Sequence, residues 1–451
     1  MNRPICDPPA VILTGGEHLS VLAAVRALRA AGYAPWVAVH EQGTYAARSR
    51  DTAGIIDVPI PWVDGGGWVR EIAAAAERIP ARVVLPGTEY AMDTLARHAG
   101  DFPPGVALGT GSRAAIANAT DKGRLVEFAR AAGLSVPPTV DMGLSALPVR
   151  LPYPYPVVVK PHRSELRGRD GVVRHFGAHY ARSTEELRAA LAALPGERGL
   201  VQPFMRGPMW SFAGVFWEGR MVCAVQSRGD RLWPVPCGSI SHAETVPLDP
   251  RLCDALSELL RAVGWSGLFQ VDLFMRAGEF VVTDLNPRFF TSLGHATRAG
   301  VNLPGIWVDL LLGREPRVAG PYRVGVHYRH DEGDLRALAH MLTHGQRAAA
   351  FRGVVPRPDT AMAVFSARDP WPVMTSFSRL LQRYRPARVR EAKRAVSRAL
   401  VEPTLRPAPQ TAVPSQDGVL SGSASPTRTT VSRRPVRTPA ARRREPAVPV
   451  P

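Results

Sequence analysis

Along the first hundred residues, apolar positions alternate between two spacings. Val11-Ile12-Leu13 is a continuous apolar run, as expected of a buried strand. It leads through Thr14-Gly15-Gly16 into residues 19–31, where apolar side chains return every three or four positions until Gly32 ends the pattern. Trp36-Val37-Ala38-Val39 and Val83-Val84-Leu85-Pro86 read as further strands. Strands alternating with helices predict a parallel sheet covered by helices over residues 1–113. Thr14-Gly15-Gly16 lacks the Gly-x-Gly-x-x-Gly spacing of a dinucleotide fingerprint. The strand-end loops Gly15-Gly16-Glu17 and Gly87-Thr88-Glu89 are candidates for holding a substrate, Glu89 among them.

The pattern changes over residues 114–317. A helix begins near Lys122, with Leu125, Phe128, Ala129 and Ala132 on one face, and closes at Gly133. Val157-Val158-Val159 predicts a buried strand with Lys160 at its mouth. Leu268-Phe269-Gln270-Val271-Asp272-Leu273-Phe274 and Phe280-Val281-Val282-Thr283-Asp284-Leu285-Asn286 flank a glycine turn and predict a β-hairpin. Any odd-length loop centred on Gly278, of which Ala277-Gly278-Glu279 is the shortest, sets Asp272 opposite Asp284; an even loop places them on opposite faces. Asp284, Asn286 and Arg288 share one face by the two-residue period. Beyond residue 317 the pattern is mixed: residues 336–342 are helical and residues 361–366 strand-like, which predicts an appendix over 318–384.

Facing carboxylates repel across a ladder. A divalent cation removes that penalty, and three oxygen ligands from Asp272, Asp284 and Asn286 with no soft ligand suit magnesium. Arg288, next in line, is placed to hold phosphoryl oxygens.

Composition sharpens this picture. Of the 56 basic residues only three are lysine: Lys122, Lys160 and Lys393. Two of them stand where compact ammonium groups would meet phosphates. The net charge of +17 suggests nucleic acid until it is located. Much of it lies at the end of the chain, where an arginine-rich stretch runs into a Pro/Ser/Thr/Arg-rich tail. Residues 385–451 are expected to be disordered, with nucleic acid a partner only through this tail. Cys6, Cys223, Cys237 and Cys253 form no Cys-x-x-Cys pair, so neither a disulfide framework nor structural zinc is expected. No uncharged apolar run is long enough to span a membrane, and a soluble protein of the reducing cytoplasm is the expectation.

Together, Lys122, Val157-Val158-Val159-Lys160-Pro161, Leu200-Val201-Gln202-Pro203-Phe204-Met205, Asp272 and Asp284-Leu285-Asn286-Pro287-Arg288 resemble an ATP-grasp enzyme of the carboxylate–amine ligase kind. The resemblance covers roughly residues 10–317 and implies an α/β architecture: two α+β lobes over 114–317 preceded by a Rossmann-like domain over 1–113. It implies that Lys122 and Lys160 touch ATP phosphates, and that the backbone of Gln202, Pro203, Phe204 and Met205 is the hinge that binds adenine. It further implies that Asp272, Asp284 and Asn286 ligate Mg2+ and that Arg288, with Lys160, serves the transferred phosphate. The implied reaction joins a small-molecule carboxylate to an amine through an acyl-phosphate. An ATP-dependent carboxylase and a non-catalytic ATP-binding regulator with a nucleic-acid-binding tail are the alternatives. Phosphoryl transfer needs positioning and charge neutralisation, so the lack of a nucleophilic triad is no objection.

Two features depart from the family pattern. The loop after Lys160, Pro161-His162-Arg163-Ser164-Glu165-Leu166-Arg167-Gly168-Arg169-Asp170-Gly171, is poor in glycine, so arginine side chains are expected to replace some of the backbone amides that cover phosphates. The second metal carboxylate is Asp rather than Glu. For the substrate, Arg228, Ser239, His242 and Arg298 are read as loop residues near the hairpin, with Arg228 and Arg298 able to grip a carboxylate. The pairs His327/His330 and His340/His344 are read as structural, since no adjacent acid supports a metal.

Overall fold

The computed structural model describes residues 8–147, 150–318, 320–354, 357–376 and 378. The basic tail expected over 385–451 lies outside the described residues. The first unit is a parallel five-stranded sheet: β1 (Ala10–Thr14), β2 (Ala34–Val39), β3 (Gly54–Asp57), β4 (Val83–Leu85) and β5 (Ala107–Leu108), in the order β3-β2-β1-β4-β5. Its helices are α1 (Leu19–Ala30), α2 (Gly65–Arg78) and α3 (Glu89–Arg97). Strand order reverses between β1 and β4. At such a point the loops leaving the two carboxyl ends diverge and open a crevice. Gly16 lets the first of these loops lie flat on the sheet, because a Cβ there would sit 2.6 Å from Val37 Cγ1 and 2.7 Å from Val39 Cγ1.

Two helices, α4 (Arg113–Thr120) and α5 (Lys122–Ala131), lead into the lobes. The smaller lobe carries β6 (Val140–Gly143), β7 (Val157–Lys160), a projecting hairpin of β8 (Glu165–Arg167) and β9 (Val173–His175), β10 (His179–Ala181), α6 (Thr184–Ala193) and β11 (Arg198–Pro203). Its sheet runs β10-β7-β11-β6. Val157, Val159 and Val201 bury one face against Leu187 and Leu191 of α6, which gives the strands their apolar runs.

The larger lobe is built on β12 (Met209–Trp217), β13 (Arg220–Trp233), β14 (Ser239–Val246), α7 (Pro250–Val263), β15 (Gly267–Arg276) and β16 (Glu279–Asn286). Behind them come α8 (Leu293–Ala299), α9 (Leu303–Leu311), β17 (His327–Arg329), α10 (Asp331–Thr343), α11 (Arg347–Val354) and β18 (Ala361–Met362). The seven-stranded sheet has the order β16-β15-β12-β13-β14-β17-β18. Leu256, Leu260 and Val263 of α7 fill the space between this sheet and α5 with Phe212, Phe269 and Trp265. Leu303, Ile306 and Trp307 of α9 pack on Val21, Val25 and Leu28 of α1, so one core joins the first unit to the larger lobe.

The β15–β16 hairpin does not close as expected, yet it arrives at the same pairing. Its loop has two residues, Ala277-Gly278, with Arg276 paired to Glu279. Both loop residues have positive φ, 51° and 84°, as tight hairpin turns require. An even loop alone would set Asp272 against Thr283. A β-bulge between the Leu273↔Val282 and Asp272↔Asp284 pairs absorbs one residue and restores Asp272 opposite Asp284. Bulges re-aim side chains in this way. The carbonyl of Thr283, the extra residue, accepts from Lys160 Nζ at 3.2 Å, and its hydroxyl donates to the Asp272 carbonyl at 3.1 Å.

The boundary expected near residue 317 does not divide the sheet, because β17 pairs with β14 and β18 runs parallel to β17. The strand expected over 361–366 stops at Met362. Beyond it the Val364 and Phe365 amides donate to the Asp331 carboxylate at 2.7 and 3.0 Å, so side chain replaces ladder. Residues 364–376 then return to the first unit as a strap. Asp369, 1% exposed, accepts from Arg26 Nε at 2.9 Å, Ser49 Oγ at 2.7 Å and the Arg50 amide at 3.0 Å. Thr375 Oγ1 donates to the Gly43 carbonyl, and Ser376 Oγ to Tyr45 Oη. Among the described residues no helix is long and apolar enough to cross a membrane.

Candidate active site

A cavity of about 770 Å³ is bordered by the hinge between β11 and β12, the ends of β7, β15 and β16, the base of the β8–β9 hairpin and the loop after β1. Lys122, Lys160, Asp272, Asp284, Asn286 and Arg288 all border it, from segments far apart in sequence.

Lys122 is the first residue of α5. Its backbone amide donates to the His162 carbonyl at 2.9 Å, while Asp121 caps the helix by accepting from the Gly123 and Arg124 amides. Lys122 is 8% exposed; its ammonium lies 2.7 Å from Asp284 Oδ1 and donates to Ser164 Oγ at 3.0 Å. Lys160, at the end of β7, reaches the bulge carbonyl of Thr283. Burial lowers its pKa, while the Asp284 charge pulls the other way.

Burial pushes the Asp272 carboxyl up to about 6, helped by the facing Asp284 charge. For Asp284 burial acts in the same sense, but the Lys122 and Lys160 ammoniums outweigh it and hold the group below its ordinary value. Gln270 Nε2 donates to Asp272 Oδ1 at 2.5 Å, and Asn286 Nδ2 donates to Gln270 Oε1 at 2.8 Å. Two half-buried carboxylates in register, one of them poorly compensated, fit a hard divalent cation with oxygen ligands. The lysine on Asp284 already marks a cation position there. Among the described residues no set of three or more His, Cys, Asp and Glu is arranged around a metal, so a cation here would have to draw on two carboxylates and on amide oxygens.

In the hinge, Pro203 has no N–H, and the Phe204 amide is already committed to the Pro156 carbonyl at 3.0 Å. Gln202 is held by Thr139, its Nε2 donating at 3.0 Å. Neither Pro203 nor Phe204 therefore offers a free backbone donor to the cavity.

Four substrate candidates from the sequence, Arg228, Arg298, His242 and Glu89, lie off the cavity. Arg228 is an exposed mid-strand residue of β13, not a loop residue, paired with Trp210 and Glu244. Arg298 lies in α8 and donates to the Pro358 carbonyl at 3.0 Å. Ser239 and His242 belong to a strand, β14, and Ser239 borders the cavity while His242 does not. Neither Arg228 nor Arg298 borders the cavity, and both are exposed. Glu89 does not border the cavity either. It stands behind Arg288, whose Nε lies 3.4 Å from Glu89 Oε1.

None of Arg163, Arg167, Arg169 and Arg174 borders the cavity. Arg167 donates to the Gly171 and Trp62 carbonyls, Arg169 pairs with Glu197, and Arg174 with Asp170. What faces the cavity is the other arm, from His175 to Ala178, with Ser164 and Glu165. His327 and His330 do not form a metal pair: His327 is bound by Arg357, and His330 accepts from the Gly333 amide to cap α10. His340 and His344 stack on each other at 3.8 Å.

Several wall residues were not singled out from the sequence. Gln270 was within reach, since it precedes Asp272 by the same two-residue period. Ser164, Glu165 and His175 carry no local signal.

Residues 197–333 match the family model described as ATP-grasp in the biosynthetic pathway with Ter operon. The fold is ATP-grasp. The chain is similar to the L-amino acid ligase from Bacillus licheniformis, at 14% identity over 71% of this chain and 78% of that one, with a TM-score of 0.54. It is similar to the biotin carboxylase from Campylobacter jejuni in its β-γ-ATP complex, at 15% identity over 70% and 74%, with a TM-score of 0.53. The N5-carboxyaminoimidazole synthetase from Staphylococcus aureus complexed with ADP matches at 12% identity over 70% and 80%, with a TM-score of 0.52. A search of curated proteins finds no match. In ATP-grasp terms, the β6–β11 sheet and the β12–β18 sheet are the two grasping lobes, and the first unit is the domain before them.

Proposed function

We propose that this chain is an ATP-dependent ligase that joins a carboxylate to an amine through an acyl-phosphate and releases ADP and phosphate. The observation that carries the reading is the Asp272–Asp284 pair, brought face to face by a bulge at one end of a cavity that also holds the only two lysines of the two lobes. Adenine would lie at the hinge and accept from the Met205 amide. Lys122 and Lys160 would leave their present carboxylate and carbonyl partners for phosphate oxygens. Asp272, Asp284 and Asn286 would hold magnesium, which neutralises phosphate charge as the γ-phosphoryl group moves. Arg288, fixed from behind by Glu89, would hold the acyl-phosphate oxygens.

Lys160→Ala should weaken ATP binding by roughly 10- to 100-fold, the worth of one charge-assisted hydrogen bond. Calorimetric titration with ATP and Mg2+ reads this directly, and affinity within twofold of the wild type, by about the error of such a titration, contradicts the assignment. The reaction class is tested with hydroxylamine, which traps acyl-phosphates as coloured hydroxamates. ATP-dependent hydroxamate from a panel of carboxylates is the expected result. Its absence with every carboxylate, alongside normal ATP binding, counts for a regulator instead.

A further inference from the structure

The cavity end beyond Arg288 holds more negative than positive charge. Glu165, on β8, borders the cavity. Its Oε2 accepts from the Tyr90 amide at 2.8 Å, in the first turn of α3. Glu89 is 7% exposed and gives one oxygen to Arg288. Its other oxygen, Oε2, is buried and accepts nothing among the described residues. Two carboxylates thus share one guanidinium, and a buried carboxylate oxygen without a donor is costly. A cation is what this corner lacks.

The charged groups that act on Glu165 come from four elements. They are Glu89 of α3, Arg288 after β16 and His18 before α1, and the fourth element, β9, sets His175 opposite Glu165 in the ladder. His175 adds no reliable positive charge, since burial first and Arg288 second lower its pKa. Burial first and Glu89 second raise the Glu165 pKa, toward the range of a useful base. Lys122 and Lys160 are directed at Asp284 and Thr283, and the hairpin arginines are bound away from the cavity.

We infer that Glu165 docks the protonated amine of the acceptor substrate beside Arg288 and takes its proton, so that the nucleophile is an ammonium-bearing molecule and not an anion such as bicarbonate. This rests on the ligase reading and extends it to the second substrate. The Glu165 carboxylate removes one proton from the ammonium. The freed nitrogen lone pair attacks the acyl carbon, the C–N bond forms, and the C–O bond to phosphorus breaks with its electron pair leaving on phosphate. The second nitrogen proton goes to that phosphate, and Glu165 returns its own to solvent.

The test compares wild type with Glu165→Gln, using the proteinogenic amino acids as carboxylates and either hydroxylamine or the same amino acids as nucleophiles. Hydroxylamine is unprotonated near neutral pH and needs no base. Glu165→Gln should make hydroxamate close to the wild-type rate while amide synthesis falls by roughly 100- to 10,000-fold, the usual worth of a general base. Unchanged amide synthesis overturns the inference, as does equal loss of both products. Should Glu165→Gln not bind ATP, Glu165→Asp carries the comparison: reduced amide with intact hydroxamate supports the role, and parallel loss overturns it. A wild-type enzyme that forms no hydroxamate overturns the acyl-phosphate reading beneath, a result distinct from any behaviour of the variants.

Discussion

Asp284→Asn should lower ADP release by roughly a thousandfold while leaving the fold intact, in line with removing a main electrostatic element of a phosphoryl-transfer site. Asparagine keeps the shape and relieves the repulsion with Asp272, so the hairpin has no reason to open. It removes the one carboxylate in the cavity that two ammoniums hold charged, and with it the charge that is proposed to bind metal and that pairs with Lys122. Steady-state ADP release measured beside the circular dichroism spectrum checks both halves. A loss of less than about tenfold, equivalent to about 1.4 kcal/mol, would contradict the placement of the cation between the two carboxylates.

Asp334→Ala should destabilise the protein by about 3–5 kcal/mol, the cost of leaving buried charge without its partner. Asp334 is 0% exposed and lies 2.6 Å from Arg231 Nε and 3.0 Å from Arg329 Nε. One acid on α10 thereby ties β13 to β17, and its loss takes the buried counter-charge from two mostly covered guanidiniums. Urea unfolding measures the change. A shift of under about 1 kcal/mol, the size expected of a surface ion pair, would show the network to be solvated. Asp334→Asn, which keeps the volume and can still accept hydrogen bonds, should lie between wild type and Ala.

Different parts of this molecule were readable from the chain for different reasons. The parallel first sheet was legible because its strands are short continuous apolar runs separated by helix-period segments, a purely local signal. Lys122, Lys160, Asp272, Asp284, Asn286 and Arg288 could be grouped because they belong to motifs with fixed chemistry, and the structure brings them to one cavity. The hairpin shows the limit of counting. Parity alone tied the Asp272–Asp284 pairing to an odd loop, whereas an even loop and a bulge at Thr283 give the same result, and apolar alternation carries no mark of a bulge. Arg228 and Arg298 were misplaced because an arginine beside a motif looks alike whether its backbone is loop, strand or helix. Glu89 lay near the site in sequence logic but behind its wall in space. Glu165 was invisible, since its meaning comes from Tyr90, Glu89 and Arg288, each brought by a different element.

The strap that ends on Asp369 sets an order of assembly. Arg26 leaves the ribosome long before its partner, which lies 343 residues further along, and domains tend to fold as they emerge. The first sheet can therefore form early, but loop 43–50 waits for its anchors until translation has passed Asp369 and Thr375. A nascent chain released before that point would carry the cavity's lysines and acids complete, with Tyr45 on the cavity wall unfastened.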